Sequence, residues 1–108
     1  MDRQEWIKFN MNWELHRDKL AKGETVSFRP KGHSMEPKIS SGNLVTVEPA
    51  KHPLQKGDIV FCKVGGKYYV HLIQAVKGSN YQIGNNKKHT NGTIGPDSVF
   101  GKVTKVEK

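Results

Sequence analysis

Cysteine is nearly absent from this chain. Cys62 stands alone, so no internal disulfide forms, and its strand-like neighbours in "DIVFCKV" mark it as an inert, semi-buried thiol rather than a nucleophile. Long apolar runs are missing too: nothing approaches the about 18 consecutive apolar residues of a membrane-spanning helix. The opening residues "MDRQEWIKFN" are polar throughout, which is not the pattern of a secretory leader. The expectation is a cytoplasmic protein with no transmembrane anchor. Acidic residues are scarce as well, ten Asp and Glu against eighteen Lys and Arg, for a net charge of +8. That balance favours anionic partners. The basic residues are scattered, however. The local clusters "NNKKH" and "RPKGH" are short, no helix carries a basic stripe, and no RNA-binding aromatic signature occurs, so nucleic acid is not the favoured partner. With 108 residues of which 34% are hydrophobic, the chain has material for one small core and hardly two domains.

What is present divides into one helix and a series of strands. Trp6, Phe9, Trp13 and Leu20 fall on one stripe of a helix over 3–21, with Ile7, Met11 and Leu15 on an adjoining one. Asp2 with Glu5 forms a capping box, and Gly23 is a natural C-cap. The tryptophans pack this helix on the rest of the domain or offer a face to a partner, a second copy of the chain included. From residue 24 onward short strands take over: "TVSFRP", "NLVTVEP", "DIVFCKV", "KYYVHLIQAV", "NYQIGN" and "VFGKVTKVEK". Gly65-Gly66 reads as the turn of a hairpin. The stretch "NKKHTNGTIGPDS" reads as a polar, turn-rich loop. The expected fold is mainly β, a compact coiled sheet or barrel over 24–108, preceded by one amphipathic helix over 1–23.

Residues 32–37, "GHSMEP", pose the chemical question. Ser34 is either a nucleophile or a polar residue in a turn that Gly32 and Pro37 make anyway. A serine nucleophile needs a base within hydrogen-bond reach and a polarised pocket for the oxyanion. His33 adjoins Ser34, but neighbouring side chains of an extended segment point to opposite faces. His16 lies among charged residues of the helix and is expected in solvent; His52 and His89 fall in loops. His71 differs, because it interrupts the most apolar strand, "YYVHLIQAV". It is either a satisfied structural histidine or the neutral imidazole that a general base requires. No residue pattern calls for a cofactor or a metal.

Six segments, taken in order, resemble the serine peptidases of the S24/S26 superfamily, which holds the self-cleaving repressors of the LexA and phage type and the type I signal peptidases. They are "GHSMEP" at 32–37, "SGNLVTVEP" at 41–49, "KGDIVFCKV" at 56–64, "YYVHLIQ" at 68–74, "IGNN" at 83–86 and "DSVFGKV" at 97–103. The resemblance implies Ser34 as nucleophile and His71 as its base, in the place where the family more often has lysine. It implies backbone amides near Gly32 and at Ser34 as an oxyanion hole, His33 and Met35 beside the substrate cleft, and Asp97 as a third member orienting the imidazole; Asp97 is otherwise a turn residue. Two positions depart from the pattern: Asn43 and Asn85 stand where the family has aspartate, which removes a carboxylate that the resemblance would offer His71. No Ala-Gly or Cys-Gly bond precedes the first strand, so cleavage in cis is not expected. The resulting expectation is an endopeptidase acting on a polypeptide in trans. The alternative is a catalytically weakened module of the same fold that binds a protein or nucleic acid. Small stand-alone proteins of this design suit phages and other mobile elements.

Overall fold

The computed structural model describes residues 13–30 and 35–108. The capping box at Asp2 and Glu5, the tryptophan at Trp6 and the residues Gly32, His33 and Ser34 lie outside the described residues.

The helix α1 is described over residues 13–21. It ends in a Schellman cap: the Glu24 amide donates to Lys19 O and the Gly23 amide to Leu20 O, both at 3.0 Å, with Gly23 at φ +87° where a side chain would be strained. Its apolar stripe turns inward. Leu20 is buried, and Trp13 meets Phe28 edge-on at 5.2 Å and Phe61 at 5.6 Å. Trp13 therefore packs on the fold of its own chain. Leu15, on the adjoining stripe, stays exposed. Arg17 also ties the helix down, its guanidinium donating to the Tyr68 hydroxyl at 2.8 Å.

Seven strands follow: β1 (Val26–Phe28), β2 (Leu44–Pro49), β3 (Ile59–Val64), β4 (Lys67–Lys77), β5 (Asn80–Gly84), β6 (Thr90–Ile94) and β7 (Val99–Glu107). They form one antiparallel sheet in the order β1-β2-β7-β3-β4-β5-β6. The mainly-β expectation stands, with one strand more than expected. β6 lies inside the stretch read as a loop, because Asn91-Gly92 is carried in a strand with a bulge instead of making a turn. The β3–β4 hairpin turns at Gly65-Gly66, both at positive φ (+57° and +83°), as a two-residue turn between Val64 and Lys67 demands.

The sheet is apolar on both faces, which explains why "DIVFCKV" shows no polar alternation. Phe61 points to one side, where Val26, Met35, Ile39, Val45, Val47 and Val70 join Leu20 of the helix. Val60 and Cys62 point to the other, with Leu54, Ile73, Tyr81, Ile83 and Val99. Phe61 is the aromatic hub of the first core, with Trp13, Phe28, Tyr68 and Phe100 rings all within 5.7 Å. No helix of the described residues is long and apolar enough to cross a membrane.

Candidate active site

The segment bearing Ser34 is anchored on both sides. Before it, Pro30 O accepts from the Gly42 amide at 3.3 Å, and the Arg29 guanidinium donates to Gly42 O at 2.7 Å. After it, the chain turns at once, with the Ile39 amide donating to Met35 O at 3.0 Å. Met35 and Ile39 are both only 4% exposed. Met35, expected beside the substrate cleft, packs into the first core and pins the turn to the sheet. One further bond holds the turn from outside, Asn86 Nδ2 donating to Glu36 O at 2.9 Å.

His71 sits in β4 opposite Val60 of β3, 8% exposed. It is the one polar side chain among the buried described residues. Its ring lies against Tyr69 at 4.8 Å. Its Nδ1 is 2.7 Å from Asn91 Oδ1. A carboxamide oxygen only accepts, so Nδ1 carries the proton and the lone pair is placed on Nε2. Burial holds the imidazole below its ordinary pKa of 6.5; the Asn91 bond opposes that effect and the nearby His89 adds to it. The ring is therefore neutral at pH 7, with the tautomer fixed by a neighbour.

Two bulges bring these groups together. In the β5–β6 pairing Ile83 faces Gly92 and Gly84 faces Thr90, which leaves Asn91 as the extra residue. Such a bulge re-aims a side chain out of the regular alternation, and this one turns Asn91 to His71. In the β4–β5 pairing Ile73 faces Ile83 and Ala75 faces Gln82, so Gln74 is extra as well. Its carboxamide lies over Gly84, donates to His89 O at 2.9 Å, and accepts from Gln82 Nε2 and the Thr90 hydroxyl. A Cβ at Gly84 would collide with the Gln74 side chain and His89 O, so only glycine fits there.

The expected third member is not where the sequence suggests. Asp97 is exposed on the one-turn 3-10 helix Pro96–Ser98 that follows β6, and the ring nitrogen it was to orient is bonded to Asn91 instead. Asn85, the position of the missing carboxylate, faces its own loop. Its Oδ1 accepts from the Lys87 amide at 2.8 Å and the His89 amide at 3.0 Å. Asn43 does the same in its turn, accepting from the Ser40 amide at 2.8 Å. Both roles need an acceptor oxygen and no charge, so asparagine fills them as aspartate would.

The other candidates sort as follows. Cys62 is fully buried, and burial pushes its thiol up to about 12, which leaves it inert. His52 is on the surface, its Nδ1 2.9 Å from the Tyr81 hydroxyl, which also accepts from the Leu54 amide. His16 is not in solvent as expected: its ring stacks on Phe28 at 4.7 Å. Among the described residues no three His, Cys, Asp or Glu side chains gather as a metal site. Sequence reasoning missed Asn91, Asn86 and Gln74. Asn91 and Gln74 take their aim from the bulges and Asn86 from the turn that follows β5, none of which a single strand's sequence shows.

A family model described as Peptidase S24-like matches residues 3–104 of the chain. No curated protein matches it.

Proposed function

The chain belongs to the Peptidase S24-like family, and from that premise we propose that it is a soluble serine endopeptidase that cuts other polypeptides in trans with Ser34 as nucleophile and His71 as base. The observation that carries the reading is the bond between His71 Nδ1 and Asn91 Oδ1, 2.7 Å long, on a buried ring. The bond fixes the tautomer, and a general base needs its lone pair on one known nitrogen. In the acylation step the Ser34 hydroxyl oxygen bonds to the scissile carbonyl carbon as Nε2 takes its proton. The tetrahedral adduct collapses, the C–N bond breaks, and the imidazolium returns the proton to the leaving amine. Water then attacks the acyl-serine with the same imidazole as base, releasing the second fragment and restoring Ser34. Backbone amides around Gly32 and Ser34 are the family's donors to the oxyanion.

Asn91 acts through His71 as a positioning residue. It cannot supply a negative charge to the imidazolium, so the reading is of an enzyme with a dyad held by an amide rather than a charged triad. The roles of Asn43 and Asn85 support an intact site, since neither side chain faces His71. A fluorophosphonate probe is the test. It should label the chain on Ser34, and Ser34→Ala should abolish the labelling. A folded chain that takes no label would instead favour a binding module that keeps the peptidase fold.

A further inference from the structure

Beside the β4 strand that carries His71 runs a groove of about 590 Å³, within the size range of ligand clefts. Leu72 and Ile73, the residues after His71, form part of its floor. Asn86, which holds Glu36 O of the serine box, stands on its wall. Its rim carries Lys38, Lys56 and Lys88, all exposed, and no aspartate or glutamate lines it. Among the described lysines, Lys102 pairs with Asp58 at 3.4 Å and Lys105 with Glu107 at 3.5 Å. The three groove lysines have no ion pair among the described residues. The remaining polar side chains of the lining, Gln74, Gln82 and Thr90, are bonded to one another and to His89 O, which leaves one amide hydrogen of Gln82 for a ligand.

Lys88 adds an independent sign. Its φ is +71°, the single non-glycine residue at positive φ among the described residues. Glycine or asparagine takes that conformation at less cost. The loop is bent into it by Asn85, whose Oδ1 holds the amides on both sides of Lys88. A long cation is thus kept at a left-handed position on the groove rim, where glycine or asparagine would cost less.

We infer that this groove takes the acidic side chains of a polypeptide near the bond to be cut, so that the protein selects acidic segments. Lys38 lies four residues after Ser34 in the chain, and Leu72, on the groove floor, adjoins His71. A substrate strand advancing about 3.3 Å per residue brings side chains within a few positions of the cut bond to the rim. Polynucleotide is the poorer fit: no aromatic side chain lines the groove for base stacking, and three cations are few for a phosphate backbone. The inference deepens the peptidase reading, on which the word substrate rests; the charge preference of the groove does not rest on it.

The test uses the full chain carrying Ser34→Ala, so that nothing is cut. Two fluorescein-labelled twelve-residue peptides of Ala, Ser and Gly are compared by anisotropy, one with four glutamates and one with four glutamines in their place. The glutamate peptide should bind at least about tenfold tighter at low salt, a difference of about 1.4 kcal/mol. Adding Lys38→Gln, Lys56→Gln and Lys88→Gln should erase the preference. Lys88→Gly alone should weaken glutamate-peptide binding while raising Tm, because it relieves the strained backbone. Equal binding of the two peptides, binding of neither, or a preference that survives the triple replacement overturns the inference. So does tighter binding of a twelve-nucleotide oligothymidine than of the glutamate peptide. Fluorophosphonate labelling of the unmutated chain reports on the peptidase reading separately, so the two failures are distinguishable.

Discussion

Two regions of this molecule each hold a histidine against an aromatic ring. On the helix side His16 stacks on Phe28 at 4.7 Å; in the sheet His71 lies against Tyr69 at 4.8 Å. In both, burial is the main reason the imidazole is held below its ordinary 6.5, with Lys19 adding to the effect at His16 and His89 at His71. They differ at Nδ1. That of His71 is bonded to Asn91, whereas that of His16 is buried with no hydrogen-bond partner among the described residues. Burial alone yields a neutral ring; a partner at one nitrogen yields a ring of known tautomer and orientation. The first is a packing element that carries a cost, and the second has one nitrogen bonded and its ring held.

The comparison breaks most visibly in acylation rate. His71→Ala should slow fluorophosphonate labelling of Ser34 by about 10²–10⁴-fold, the usual worth of a general base. His16→Ala should change it less than about twofold. Equal losses would mean that both histidines act only through the fold.

A smaller effect sharpens the role of Asn91. Asn91→Leu should slow labelling at least about tenfold, well short of the ~10⁴ lost when the carboxylate-held tautomer of a serine protease triad is disturbed. The pH profile separates this from simple destabilisation. In the unmutated chain the acid limb should lie below pH 6.5, because burial disfavours the charged ring. Asn91→Asp places a carboxylate on Nδ1, favours the imidazolium, and should move that limb to higher pH. An unmoved limb in the aspartate variant would remove Asn91 from the site.

The smallest effect concerns stability. His16→Leu replaces a buried nitrogen without a partner by an apolar side chain and should raise stability by about 1 kcal/mol at pH 7, read from the urea midpoint. The sign with pH follows from the lowered value. As pH falls below 6.5 the unfolded chain takes up the proton first, so stability is fully present above that pH and is lost as pH drops through the folded-state value. The leucine variant should therefore lose less on acidification than the unmutated chain. His71 keeps its own share of the acid loss in both.

Much of the architecture was legible in the sequence because it rests on local patterns. The helix end at Gly23, the hairpin at Gly65-Gly66 and the apolar strand around Phe61 each follow from a few neighbouring residues. The inward face of the helix was legible from the spacing of Trp13 and Leu20. The strand at Thr90–Ile94 was not, because Asn91-Gly92 carries the chemistry of a turn and is overridden by pairing with β5. His71 could be singled out as a polar residue in an apolar strand, but the residue that meets it could not. Asp97 looked suitable by type and place in the order of motifs, and Asn91 looked like loop.

Residue order alone determined the family's segment order, the mainly-β class, the isolation of Cys62 and the standing of His71 as the histidine inside an apolar strand, since each depends on composition, periodicity or motif spacing. Tertiary structure decided which side chain holds His71, that Asn43 and Asn85 serve their own turns, and that three lysines converge on one groove. The physical reason lies in the bulges. One extra residue in a strand reverses which face its side chain meets, and where the extra residue falls is set by pairing across the sheet, which no single strand's sequence encodes.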